Sequence, residues 1–392
     1  MGRTVKQVRS EAKSRLAAIR KVAASFNDLR PASEVLTRVV AVPTCFISFD
    51  HGVRVGGFPT ERFSLAHGPS NHGKTTFLLG LARSFLLLDH FVLWVDAERT
   101  TPWPWVETMI SPQLSLHPAF VAKRPETYEK TIADVRNFCI TIAEAKEKGI
   151  LPEEQAGLIV VDSIRKLVPA SIMAQIEKEN EKGQDADPSR RAAQIKAAMN
   201  ANWLDELTPI LERANIAMVV VARETEDPDA NAFAKKFGTN YKIGGGKALY
   251  FDASLVMRVE RAAWVQKKGN DESERATVYG ERHRVTIMKT KVAGKDDKVV
   301  RTYFHTSNGV LVPEGFDFAR DVLEMAERFK VVDKSGAWYS YGNERIGNGD
   351  HNAVVNLYKN AEDDYEASWL ARIAAEVRAK FADNKPEEEE AV

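Results

Sequence analysis

Eight consecutive residues, Gly68, Pro69, Ser70, Asn71, His72, Gly73, Lys74 and Thr75, carry the densest chemistry in the chain. Their types and spacing match the phosphate-loop pattern in full. Glycines let backbone amides turn toward phosphate oxygens. Lys74 adds a point charge for the β and γ oxygens, and the Thr75 hydroxyl suits a magnesium ion. Thr76 continues the motif, and the positive end of a helix opening at Lys74 adds to the attraction for an anion. Downstream, Leu158, Ile159, Val160 and Val161 run into Asp162 and Ser163. A carboxylate at the end of such a strand holds the magnesium shell, here through water. A third run, Val92 to Val95, delivers Asp96 and Glu98 to the same edge. Glu98 is the candidate base that orients the water attacking a γ-phosphate; the alternative is a purely structural ion pair with Arg99 or Arg165. Trp103 and Trp105 follow, and each suits either stacking on a nucleobase or a place in the core.

These residues need a scaffold that brings strand ends together. Phe63 to His67 reads as a strand, Gly68 to Gly73 as a loop and Thr75 to Leu88 as an apolar helix. Short apolar strands at 91–95, 158–161 and 216–221, with a helical run at 192–214, predict a parallel sheet covered by helices on both faces. Ligands then bind at the carboxyl ends of the strands. Two long polar segments, Ala174 to Arg191 and Glu224 to Gly246, interrupt this pattern, and structureless segments of that length inside a domain are commonly functional. After Val312 come a helical run at 318–329, an aromatic, glycine-containing segment at 336–349 and a helix near 365–381. At the other end, apolar residues recur at helical spacing between Lys6 and Phe26. That amphipathic helix packs on its own subunit or docks on a neighbour as an assembly arm.

Composition limits the partners. The 392 residues hold 55 Lys and Arg against 55 Asp and Glu, so the chain exerts no global pull on nucleic acid and any DNA contact must be local. Cys45 and Cys139 are the only cysteines, which excludes a disulfide framework or a four-cysteine zinc site and suits a reducing compartment. The basic, charge-punctuated N-terminus lacks the apolar core of a signal peptide, and a soluble cytoplasmic protein is expected.

Motif order resembles the RecA family of strand-exchange recombinases. The similarity lies in Val42 to Gly57, in GPSNHGKTT at Gly68 to Thr76, in VDAE at Val95 to Glu98 and in IVVDS at Ile159 to Ser163. It continues in GGKALYFDAS at Gly245 to Ser254 and in GAWYSYGNERIGNG at Gly336 to Gly349. The resemblance implies an α/β P-loop core with a mostly parallel central sheet flanked by helices. It also implies an N-terminal helical arm (1–38), an ATPase core (39–316), a small α+β C-terminal domain (317–383) and an acidic tail (384–392). ATP and Mg²⁺ are the implied cofactors, with Glu98 activating water, Thr75 and Asp162 serving the metal, and Trp105 at the stacking aromatic. Lys289 and Lys291, which spacing alone reads as part of a solvated edge strand, match two lysines that reach ATP on the adjacent protomer of a filament. DNA-binding loops are implied near 171–191 and 224–246. Their candidate residues are Arg190 and Arg191, then Lys235, Lys236, Phe237, Gly238, Lys242, Gly244 and Gly245. The partners would be single-stranded DNA, homologous duplex and further copies of the chain, in the cytoplasm of a bacterial or phage-infected cell.

The chain departs from the family at several points. Ala222 and Arg223 stand where RecA has an asparagine and a glutamine that report the γ-phosphate to the second loop; Arg223 can itself touch phosphate. Pro102 replaces an aspartate that contacts adenine. The run Ala222 to Thr225 leans toward the phage UvsX type, implying a phage-encoded relative. A ring-shaped hexameric helicase or motor on the same core, and a recombination mediator that does not hydrolyse nucleotide, are the rival readings. The run Glu387 to Glu390 is expected to compete with DNA for the basic loops.

Overall fold

A computed structural model describes residues 39–181, 189–227, 241–267, 277–293 and 299–383, with Arg15, 17–19, Lys21 and Val22. Two compact units are present, Met1–Val39 and Val40–Val392. In the first, the described residues between Arg15 and Val22 are helical; most of the expected 6–26 helix lies outside the described residues.

The second unit opens with β1 (Ala41–Val42), α1 (Ile47–Val53) and β2 (Phe58–Pro59). Then come β3 (Arg62–Gly68), α2 (Lys74–Leu86), β4 (Phe91–Asp96), α3 (Trp103–Ile110), α4 (Pro112–Ser115) and β5 (Phe120–Lys123). Next are α5 (Tyr128–Glu147), β6 (Gly157–Asp162), α6 (Ala170–Glu181), α7 (Ser189–Ala214), β7 (Ile216–Glu226), β8 (Tyr241–Ile243) and α8 (Lys247–Asp252). A meander of β9 (Leu255–Lys267), β10 (Thr277–Thr290), β11 (Val300–Ser307) and β12 (Gly315–Phe316) follows. The sheet order is β12-β11-β10-β9-β3-β7-β6-β4-β5, with β8 paired to β7. From β9 to β5 every neighbour is parallel; β9 to β12 pair antiparallel.

The parallel half follows from composition. β6 is buried at every residue and β4 at all but the first, as apolar strands covered on both faces must be. Helix α2 is buried from Phe77 to Ala82, and its Gly80 allows close approach: a Cβ there would lie 2.1 Å from Phe46 Cζ. Phe46 in turn meets Phe77, Phe304 and Phe316 at ring centroid distances of 5.6, 5.3 and 5.2 Å.

Three expectations need correction. The segment 174–191 is not a loop throughout: α6 runs to Glu181 and α7 begins at Ser189. Ala, Gln, Glu and Lys favour helix, Ile172 is buried, and the carboxylate of Glu129 accepts from the first amide of α6, on Ala170, at 2.9 Å. Lys289 lies in β10, which is interior to the sheet as a whole, but past the end of the β11 ladder at Ile287, so at Lys289 the strand pairs only with Val256 of β9. Finally, the last helix starts at Trp369 rather than near 365, since the Ser368 hydroxyl accepts from the Ala371 amide at 3.1 Å as an N-cap.

Beyond β12 lie α9 (Phe318–Arg328), the three antiparallel strands β13 (Asp333–Ser335), β14 (Trp338–Tyr341) and β15 (Glu344–Asn348), then α10 (Asp350–Asn360) and α11 (Trp369–Asp383). They share a second core built on Leu323, Ala326, Tyr339, Ile346, Val354 and Ile373. Helix α11 is tied to α1 through Arg378, which donates to Asp50 Oδ2 and to the Thr44 carbonyl, each at 2.7 Å. Asp50 is fully buried. Replacing Arg378 with Ala leaves that carboxylate only the Thr44 amide, at 3.0 Å, and the Thr44 hydroxyl, at 2.6 Å; denaturant titration should show a loss of about 3 kcal/mol, the low end for a buried pair because Arg378 itself is partly exposed.

Candidate functional site

Four strand ends set the site. In the parallel ladders Asp96 pairs with Asp162 and Gly68 with Arg223; with Val161 opposite Val220 and Ala66 opposite Val221, Gly68 and Arg223 stand two residues past the ends of β4 and β6 at the same edge. The amides of Ala97 and Glu98 both donate to the Asp162 carbonyl, at 2.8 and 3.1 Å, which holds the Glu98 segment against β6. A cleft of about 630 Å³ opens above them, lined by the loop Ser70 to Thr76 and by Glu98, Trp105, Asp162 and Arg223.

The loop is shaped for its work. Gly73 has φ 89 and caps α2, and a Cβ on it would lie 2.5 Å from His283 Nδ1. Asn71 also sits in the left-handed region, with φ 58. Lys74 Nζ is inturned on the loop's own carbonyls, Gly68 O at 3.0 Å and Pro69 O at 2.5 Å. Burial lowers its pKa, only partly offset by the carboxylates of Asp162, Glu224 and Glu98. An anion at the loop meets an ammonium short of solvent.

Thr75 Oγ1 donates to Asp162 Oδ2 at 2.6 Å. Burial pushes the Asp162 carboxyl up to about 6, although the Thr75 hydrogen bond opposes the rise. A buried carboxylate beside a hydroxyl at a phosphate loop is an all-oxygen donor pair of the kind Mg²⁺ accepts, with phosphates and water completing its shell. Among the described residues no group of three or more His, Cys, Asp or Glu is placed to hold a metal ion.

Glu98 accepts from Ser163 Oγ at 2.6 Å and from Arg223 Nη2 at 3.1 and 3.0 Å. Burial alone would raise its pKa, but the bonds from Ser163 and Arg223 outweigh that and hold it below the usual carboxylate range. The ion-pair partner is therefore neither Arg99 nor Arg165. Arg99 has φ 57 and donates instead to Pro125 O at 3.3 Å. Asp96, although it ends β4, faces a separate cavity with Trp94, Trp103 and Arg124, the last at 3.4 Å. Trp105 lines the main cleft; neither it nor Trp103 belongs to the core.

Lys289 and Lys291 converge elsewhere. Lys289 Nζ donates to Tyr250 O and Phe251 O, both at 2.7 Å, and Lys291 Nζ to Phe251 O at 2.8 Å. The two ammoniums cap the carbonyl end of α8, where cations are favoured, and neither lines the cleft of its own chain. Burial and then the neighbouring Lys291 charge hold Lys289 below the ordinary lysine value.

Of the DNA-binding candidates, Lys235, Lys236, Phe237 and Gly238 lie outside the described residues, as do the side chains of Arg190 and Arg191 at the start of α7. The flanks of the second loop are described. Lys242 pairs with Asp227 at 2.8 Å, and the Gly244 amide donates to Arg223 O at 3.0 Å. Asn200 of α7 donates to Gly245 O at 2.6 Å.

Reading the chain did not find Trp264, Glu281 or His283, which also line the cleft. They come from β9 and β10, whose charged sequences carry no phosphate motif. Arg261 N donates to His72 Nδ1 at 3.2 Å, fastening the loop apex to β9. Only pairing across the sheet brings these residues to the loop.

Known families match most of the chain. The RecA N-terminal domain matches residues 13–308 and the RecA C-terminal domain residues 320–382. Protein RecA of Citrifermentans bemidjiense is 29% identical over 348 residues, 89% of this chain and 86% of that protein. Protein RecA of Geobacter sulfurreducens is 28% identical over 331 residues, 84% of each chain. That of Xanthomonas axonopodis is 26% identical over 362 residues, 90% of this chain and 88% of the relative.

The loop geometry makes one substitution decisive. Gly73→Ala imposes about 1–3 kcal/mol of backbone strain and drives a methyl into His283. Nucleotide titration should show affinity weaker by about fivefold or more, since 1.4 kcal/mol is tenfold.

Proposed function

The chain belongs to the RecA family of recombinases and is a DNA-dependent ATPase, and from that premise we propose that its cleft takes MgATP between two copies of the chain. In this reading copies polymerise on single-stranded DNA as a helical filament, pair it with homologous duplex, and use hydrolysis to turn the filament over. The observation that carries it is the placement of Lys74, Thr75, Asp162 and Glu98 around one cleft while Lys289 and Lys291 sit together outside it. A cation pair absent from its own cleft suits one supplied in trans.

Each residue then has a task. Loop amides and Lys74 bind the β and γ oxygens, and Trp105 offers a ring to the base. Thr75 and Asp162 would hold Mg²⁺, which when bound neutralises phosphate charge. Glu98 orients a water and takes its proton as the water oxygen bonds to the γ-phosphorus and the bond to ADP breaks. Lys289 and Lys291 of the neighbouring copy stabilise the charge that develops on the transferring group. Residues 1–38 serve as the assembly arm, 39–316 as the ATPase core, 317–383 as the C-terminal domain and 384–392 as the acidic tail. Among the described residues no helix is long and apolar enough to cross a membrane; the proposed setting is the cytoplasm.

DNA contact falls to the two loops. Arg190, Arg191, Lys235, Lys236 and Lys242 neutralise phosphates, Gly238, Gly244 and Gly245 let the backbone approach, and Phe237 wedges between bases.

Mixing experiments test the shared site. Lys74→Ala protein and Lys289→Ala/Lys291→Ala protein should each release almost no phosphate with single-stranded DNA. Their equal mixture should recover activity at roughly one interface in four, the fraction that joins an intact loop to intact lysines in random head-to-tail assembly. An inactive mixture would remove the trans assignment. For the second loop, Lys235→Ala/Lys236→Ala should flatten the slope of log affinity against log salt by roughly 0.7 per lysine on single strands. An unchanged slope would take both lysines off the phosphates.

A further inference from the structure

Arg223 is a charged residue of the cleft to which the proposed mechanism assigns no task. It lies in β7 directly across the ladder from Gly68, the first residue of the phosphate loop. Its side chain lines the same cleft as Lys74 and Thr75. Nη2 donates to both Glu98 oxygens, at 3.1 and 3.0 Å. Both bonds come from one nitrogen, so the contact is not the two-pronged fork that makes arginine pairs strongest. Ser163 Oγ, at 2.6 Å from Glu98 Oε1, is a second holder that does not depend on Arg223.

The clamp has a chemical competitor. A terminal phosphate carries close to two negative charges on three oxygens and matches the guanidinium fork, whereas Glu98 offers one charge to a single nitrogen. With its side chain 35% exposed, Arg223 is not locked in place by packing. We propose that Arg223 is a phosphate-operated latch: it clamps Glu98 until a triphosphate draws the guanidinium onto its γ-phosphate, leaving Glu98 held by Ser163 and free to take the water. The latch rests on the reading of Glu98 as the base.

A diphosphate offers no γ-phosphate and leaves the latch shut.

A double-mutant cycle in the full chain tests this, with ADP and a slowly hydrolysed ATP analogue as the probes. Arg223→Met, which keeps the length of the side chain but has no donor, should weaken the analogue by about tenfold or more and ADP by less than about twofold, because a charge-assisted phosphate bond is lost from one ligand alone. Glu98→Gln should tighten the analogue severalfold when Arg223 is present, and should have no such effect in the Arg223→Met background. Equal weakening of both nucleotides, or additivity of the two substitutions, overturns the latch. Arg223→Lys keeps the charge and should recover part of the preference for the analogue; no recovery in a variant that melts like the parent also counts against it. Phosphate release by Glu98→Gln protein is a separate readout: undiminished turnover would sink Glu98 as the base, whatever the binding cycle shows.

Discussion

The register of one buried parallel sheet is the constraint from which the site follows. β6 and β7 are hydrogen-bonded on both edges and packed on both faces, so a slip of one residue would turn apolar side chains out of the core and break two ladders at once. Their ends are consequently fixed as a group. Asp162, the Glu98 segment, Arg223 and the phosphate loop occupy one edge because the ladders beneath them allow no other arrangement. A site that must meet a polyanion thus stands on the most apolar part of the molecule.

The same edge carries charges that the core must tolerate. Glu224, one residue past Arg223, is almost fully buried, yet it accepts from Arg258 Nε at 2.8 Å and lies 2.8 Å from His67 Nδ1. Burial opposes its ionisation, and those two partners outweigh the burial. Arg258 goes on to Glu260 at 2.7 Å, and Arg284 to the same carboxylate. The chain of partners crosses β7, β3, β9 and β10, joining the parallel and antiparallel halves by electrostatics where backbone pairing alone would leave buried charge unpaired.

Much of this was legible along the chain. Glycines at 68 and 73, Lys74 and Thr75 form a local pattern whose meaning depends on spacing alone, and apolar runs ending in Asp162 and before Glu98 announced strands that carry acids to an edge. Helix α6 was misread because Glu, Lys and Gln are both polar and helix-forming, so polarity passed for irregular structure. The wall supplied by Trp264 and His283 was not legible: nothing in their neighbourhood specifies that β9 pairs with β3. Arg223 stood out by its type, but its contact with Glu98 depends on a separation of 125 residues, beyond the reach of any periodicity.

The strand that carries the phosphate loop has an unusual history in time. β3 is flanked by β7 and β9, whose pairing residues begin at Ala217 and Leu255. As a ribosome extends the polypeptide, the loop emerges early and waits through the synthesis of well over a hundred residues before either flanking strand exists. Long-range parallel pairing is also intrinsically slow. Nascent chains therefore cannot hold nucleotide in a finished cradle, and the apolar segment Phe63 to Ala66 needs shielding from other chains until that closure is made.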